Sequence, residues 1–370
     1  MCKGEETASE LRRLQDRVTG VEVLQMTASP GISHATYFLQ SSFSPDGRTM
    51  LFVSNRTGNW QLFAVTSYPS GPIRQLTDGA PIHPFSPAIA RDGSEVYFVR
   101  GGSLWRMHLA SLAERCIVDF GGASMGEPSL DVTGEWIVAA IKKDGQPGLA
   151  VGRSDASGWH VIPFSRTVIH PQFHPVEPEW IEFAGDPAPR MHRVRRDGTG
   201  MMCLFEHSND LFVVHETFLG STGNLVYTVW PRELRVMDWA TREHRTICAF
   251  NAWHITPSRD GSKVLCDTNH PDKGIFLIDA ATGARKLVCM PDATCGGSQW
   301  RTSRYALAED FAAARSGAEG KLSWMEAGTD TVYGPQWTHP HPSFSADETH
   351  VVFASDRSGT TQVYVAAIPD

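Results

Sequence analysis

Apolar residues in this chain recur at every second position in short runs, and the runs come in sets. Val21-Glu-Val-Leu-Gln-Met-Thr27 alternates as a half-buried strand does. After it the chain repeats one unit. A short strand ends near Phe-Ser-Pro-Asp-Gly, two strands rich in Val, Phe, Tyr and Ile follow, and a fourth is of the Arg-Gln-Leu-Thr type. Asp46 and Asp92 mark the turn in the first two units; Thr133, Val176, Ser221, Asp260 and Asp347 stand at the equivalent point later. The markers lie 39 to 46 residues apart, except for a last interval of 87. Four strands in a period of this length predict the blades of a β-propeller. The alternative, a β-sandwich with irregular strands, would not keep a fixed period.

The pattern therefore predicts an all-β, seven-bladed propeller over residues 21–370, preceded by an N-terminal extension over 1–20. Within that extension Ala8-Ser-Glu-Leu-Arg-Arg-Leu-Gln-Asp-Arg-Val18 reads as one amphipathic helix. The double-length interval holds the rest of one blade, through Arg285-Lys-Leu-Val-Cys289, and an insertion over about 293–333. In it Leu307-Ala-Glu-Asp-Phe-Ala-Ala-Ala-Arg315 is helical in composition. Without a paired strand pattern the insertion reads as a loop near the funnel, not as an eighth blade. The last unit has strands at 351–355 and 362–367 and stops one strand short. Val21–Thr27 supplies the missing strand, closing the ring and removing an open edge.

Six residues before each marker the innermost strand begins. Those positions are Gln40, Ser86, Glu127, His170, His215, His254 and His341. All are polar where the following residues turn apolar, and innermost strands line the central channel. Convergent polar groups in a concave site are the default binding site. Just ahead of the last unit, Gln336, His339 and His341 fall within six residues. His339 and His341 are two apart and so share a face of an extended segment. With His254 from the neighbouring blade they offer three imidazoles and a carbonyl oxygen, donors suited to a divalent first-row metal. A pair of surface histidines in a Pro-rich loop accounts for this stretch by itself equally well.

Charge and cysteines narrow the picture. A net charge of -8 supplies no basic face for nucleic acid. Seven scattered cysteines with no C-x-x-C read as reduced thiols of a cytosolic protein. The start, Met1-Cys-Lys-Gly-Glu-Glu6, has no apolar signal segment, and no run approaches a membrane span.

Several motifs together resemble the oligogalacturonate lyases, also called oligogalacturonide lyases, of polysaccharide lyase family 22. They are His34-Ala-Thr-Tyr-Phe-Leu-Gln40 with Phe43-Ser-Pro-Asp-Gly47, Arg190-Met, His215-Glu, His254 before Asp260-Gly, and Gln336-Trp-Thr-His-Pro-His-Pro-Ser-Phe344. The last is the most specific; the Ser-Pro-Asp-Gly turns alone fit many TolB-like propellers. The resemblance runs from about residue 20 to the C-terminus. It implies a lyase of pectin degradation that cleaves digalacturonate and unsaturated digalacturonate by β-elimination to 5-dehydro-4-deoxy-D-glucuronate. It also implies Mn²⁺ on His254, Gln336, His339 and His341, a base at His215 and a cationic partner at Arg190. His170 and Gln40 are then candidates for substrate hydroxyls. His34, His83 and Tyr37 follow, with core packing as their competing role. Two departures stand out. Phe183-Ala-Gly-Asp-Pro187 replaces the family's usual His-Glu-Gly-Pro before the arginine, and the 293–333 insertion is unusual.

The chemistry explains such a set. The C5 proton of a 4-linked uronate is α to a carboxylate, and its removal adds charge to an anion. A Lewis acid on the carboxylate and a neutral imidazole at C5 answer both needs. Two other readings compete: a TolB-like binding propeller without catalysis, and a related lyase acting on another uronate. A Ca²⁺-dependent propeller hydrolase would call for carboxylate ligands that this set lacks.

Overall fold

In the computed structural model, residues 1–186, 188–208, 210–268, 272–295 and 335–369 are described. Among them the strands form seven antiparallel sheets, the blades of a propeller. Blade 1 runs outward through Ser33–Ala35, Thr49–Ser54, Gln61–Thr66 and Ile73–Gln75. Blade 4 has Thr167–Phe173, Trp180–Asp186, Met191–Arg195 and Met202–Cys203. Blade 5 has Val213–Phe218, Leu225–Val229, Glu233–Met237 and His244–Cys248. Blade 6 has Ala252–Pro257, Lys263–Thr268, Ile275–Asp279 and Arg285–Cys289. The two-residue period explains each strand: one face of apolar residues is buried against the next blade.

Seven apolar clusters fill the seven junctions between neighbouring blades. Phe52 and Phe63 of blade 1, for example, pack with Val352 and Val365 of blade 7, whose middle strands are His350–Ser355 and Gln362–Ala367. Phe353 and Tyr364 of blade 7 pack with Leu265 of blade 6. Burying each such side chain stabilises the fold by about 1.5–3 kcal/mol. The repeated Ser-x-Asp turn is tied locally. Ser44 donates to Asp46 at 2.6 Å, and Ser258 and Ser345 repeat this with Asp260 and Asp347 at 2.7 and 2.6 Å.

Blade 7 takes its fourth strand from the N-terminus, as expected. Glu22–Gln25 pairs with Gln362–Ala367, placing Leu24 opposite Val365. The expected helix over 8–18 is overturned: Arg12–Gln15 is a strand on the outer edge of Glu22–Gln25. Helix propensity there is small beside the row of unpaired backbone groups that edge presents. Glu6–Thr7 likewise extends blade 1 by pairing with Ile73–Gln75. The helical reading of 307–315 lies outside the described residues, as does the insertion from 296 on. Among the described residues no helix is long and apolar enough to cross a membrane.

Candidate active site

The inner strand of blade 3, Ser124–Leu130, and those of blades 4 to 6 each break their ladder at the channel register. Pairing shifts between Met125 and Pro128, Ile169 and Gln172, Val214 and Thr217, and Ala252 and Ile255. Glu127, His170, His215 and His254 occupy these breaks. A bulge re-aims the side chain it carries, and bulges gather beside active sites. His170, His215 and His341 hold φ of +55°, +56° and +46°. A non-glycine residue in that region costs on the order of 1–3 kcal/mol. The surrounding sheet imposes the same unfavourable conformation at three blades.

The result is a ring of buried imidazoles around one phenyl group. Phe38 is buried, with its ring centroid 5.7, 5.5, 5.2 and 6.0 Å from those of His170, His215, His254 and His341. His254 and His341 are 3.9 Å apart between ring centroids; His339 is 5.6 and 5.9 Å from them. Gln336 opens the short 3₁₀ turn Gln336–Thr338 that leads into His339, whose N–H donates to the Gln336 carbonyl at 3.1 Å.

This cluster suits a divalent ion in kind. Burial, then His339 and His170, holds His254 well below the usual imidazole range. Burial, then His254 and His339, does the same to His341. Both are therefore lone-pair donors at neutral pH. His341 Nε2 is buried without a hydrogen-bond partner. His254 Nδ1 stands 2.7 Å from Asp267 Oδ2, the carboxylate partner that orients a metal-binding imidazole and leaves Nε2 as the donor. As the side chains stand, no group of three His, Cys, Asp or Glu among the described residues could hold an ion. The ring centroids of His254, His339 and His341 lie 3.9 to 5.9 Å apart.

Beside the cluster, His215 is buried edge-on to Trp253, with its ring 4.7 Å from His254. Its Nδ1 has no hydrogen-bond partner. Burial first, then His254, His170 and Arg190, keeps it well below the ordinary histidine pKa. Arg190 precedes the third strand of blade 4 and is buried against Glu216: Nε donates to Oε1 at 2.8 Å and Nη2 to Oε2 at 3.3 Å. Burial pushes the Glu216 carboxyl up, but Arg190 and His170 outweigh it and hold it far below the carboxylate range. His170 Nε2 bonds the Tyr37 hydroxyl at 2.8 Å, and its Nδ1 faces Glu216 Oε2 at 3.8 Å.

The remaining candidates divide. His34 is buried, stacks on Phe85 at 4.8 Å and donates Nδ1–H to the Ala35 carbonyl. Burial lowers its pKa to about 4. Gln40 does not join the histidines. Its amide donates to the Pro128 carbonyl at 3.0 Å, and it lines a cavity with Phe38, Thr256 and Ser343 that none of the four histidines lines. The inner strand of blade 1 ends early, at Ala35, so the equal-spacing register fails there.

Comparison with known proteins points to the family that the motifs resemble. A family model described as oligogalacturonate lyase matches residues 1–140. The oligogalacturonate lyase of Dickeya dadantii is 25% identical, covering 100% of this chain and 99% of its own. Over its whole length the chain is similar to oligogalacturonate lyases. The oligogalacturonide lyase of Pectobacterium atrosepticum is 23% identical over the same shares. A solved oligogalacturonate lyase in complex with manganese superposes with a TM-score of 0.83 at 21% identity, covering 100% of this chain and 99% of that one. The curated relatives it matches are named as lyases.

Three members of this site escape spacing arguments. Glu216 is visible only as the residue after His215; its grip on Arg190 spans two blades. Asp267 comes from the second strand of blade 6, so its pairing with His254 depends on strand register. Phe38 reads as an ordinary core residue.

Proposed function

We propose that this protein is a metal-dependent lyase that cleaves short oligogalacturonides, digalacturonate and its unsaturated form among them, by β-elimination to 5-dehydro-4-deoxy-D-glucuronate. The observation that carries this reading is His215. It is a buried, neutral imidazole with an unpartnered Nδ1, between the Arg190–Glu216 pair and the His254, His339 and His341 cluster.

His254, Gln336, His339 and His341 would hold the ion, with Mn²⁺ as the first candidate because the manganese-bound solved structure has the same fold. Bound there, a divalent cation supplies Lewis-acid neutralisation of the substrate carboxylate. The chain's own groups do the rest. His215 takes the C5 proton, a task for which its depressed basicity keeps the lone pair free at neutral pH. Arg190, fixed by Glu216, adds fixed positive charge beside the developing anion. His170 and Tyr37, bonded to each other beside Phe38, would meet the sugar, with His34, stacked on Phe85, behind them. From a net charge of -8 and seven free cysteines, we assign it a small oligouronide as partner and the cytosol as location.

A second reading keeps the reaction but changes the uronate. It is favoured by Phe183, which stands in the segment where the family usually has its histidine and is buried against His192 at 5.5 Å between rings. One experiment tests both: absorbance at the unsaturated-uronate band with digalacturonate, trigalacturonate and other uronate disaccharides, with and without added Mn²⁺. No turnover of any uronide with metal present would overturn the lyase reading.

A further inference from the structure

β-Elimination needs two proton positions, and only one has been assigned. The departing O4 leaves as an alkoxide unless it is protonated, and Arg190 is unsuited to that task. A guanidinium keeps its proton at any working pH, and two of its nitrogens are committed to Glu216. On the neighbouring blade a different set of groups stands ready. The Tyr37 hydroxyl and His170 Nε2 are 2.8 Å apart. His170 Nδ1 faces the Glu216 carboxylate at 3.8 Å and has no hydrogen-bond partner at present. The His170 N–H is anchored by a second buried carboxyl, donating to Glu127 Oε1 at 2.7 Å.

Glu216 lies near both channel histidines, His215 and His170, and His170 has in addition Glu127, whose carboxyl accepts its backbone N–H. The two histidine rings are 5.9 Å apart, both resting on Phe38.

We infer that Tyr37, His170 and Glu216 form a proton relay that protonates the leaving oxygen. The relay rests on the lyase reading above. As His215 removes the C5 proton, the C5–H pair becomes the C4=C5 double bond. The C4–O4 bond breaks toward oxygen, and O4 takes the Tyr37 hydroxyl proton. The Tyr37 oxygen takes the Nε2 proton of His170, whose Nδ1 side faces the Glu216 carboxylate. His170 then recovers a proton from water, and His215 releases its own.

A leaving group that needs no proton separates this role from simple positioning. The test uses full-length enzyme with Mn²⁺, on digalacturonate and on a galacturonate derivative with fluoride at C4. Fluoride departs unprotonated and is read directly as released fluoride. Tyr37→Phe should lose about 10²-fold or more in kcat on digalacturonate, the usual scale of general acid catalysis, yet stay within several-fold of wild type on the fluoride substrate. His170→Gln should show the same leaving-group dependence, whereas His215→Ala should lose both activities. Equal losses on both substrates for Tyr37→Phe and His170→Gln, in protein that still binds Mn²⁺, would overturn the relay and leave the lyase reading intact. Wild-type protein inert on both substrates would overturn the lyase reading itself, and the relay with it.

Discussion

His254 Nδ1 lies 2.7 Å from Asp267 Oδ2, and the same carboxylate accepts the His254 N–H at 2.8 Å. Two bonds from one buried side chain fix both the backbone and the ring of a channel histidine. Burial alone raises the Asp267 carboxyl to about 7, against the pull of those bonds.

If His254 is a ligand, its orienting carboxylate matters nearly as much as the ring. Asp267→Asn should weaken Mn²⁺ binding by roughly 10- to 100-fold, as second partners of metal-bound histidines do. His341→Ala should lose metal and activity together. Titration calorimetry with Mn²⁺ checks both. Undiminished affinity in His341→Ala would exclude it from the ligand set.

His215→Ala should retain Mn²⁺ and substrate affinity and lose about 10²-fold or more in kcat, the range for a lost general base. Steady-state kinetics on digalacturonate, beside metal analysis of the same sample, decides it. Near wild-type turnover would move the base elsewhere, with His170 next to be examined.

The acid limb of kcat/KM should lie below pH 6.5. Burial, then His254, His170 and Arg190, disfavours the cationic form of His215, so the neutral base persists as pH falls past the ordinary histidine value. A bound cation would push the limb further the same way. A limb centred above pH 6.5 would show that His215 does not control it.

Glu216→Gln should be costly to the fold, because it leaves Arg190 charged and buried. Breaking a buried pair from one side costs about 3–5 kcal/mol. The same pair sets an acid sensitivity. The folded Glu216 pKa is below its unfolded value, so its contribution is present above the ordinary glutamate range and is lost as pH falls. Urea unfolding of wild type and variant at pH 7 and pH 4 should show the gap narrowing at the lower pH.

Deleting residues 1–28 should yield an aggregating protein. Glu22–Gln25 covers the edge of Gln362–Ala367, and buried Val23 and Leu24 fill the last junctions of the ring. Removal exposes an unpaired strand edge. Light scattering during refolding is the measurement; a monomeric, cooperatively folding truncation would refute it.

The architecture was legible in the chain because it is written in local terms. Alternation sets strands, the Ser-Pro-Asp-Gly turns set the period, and a last unit one strand short calls for Val21–Thr27. Four of the register positions, Glu127, His170, His215 and His254, were readable for the same reason, since blades 3 to 6 keep equal spacing up to their turns. What remained was decided by contacts between blades. Arg12–Gln15 is a strand because an edge was waiting for it, which outweighs a helical composition. Gln40 left the ring because the inner strand of blade 1 ends at Ala35. Phe38 became the floor beneath four imidazoles, Asp267 the orienter of His254, and Glu216 the shared partner of Arg190 and His170. Each depends on distances between residues far apart in sequence, and only the closed ring of packed sheets fixes those.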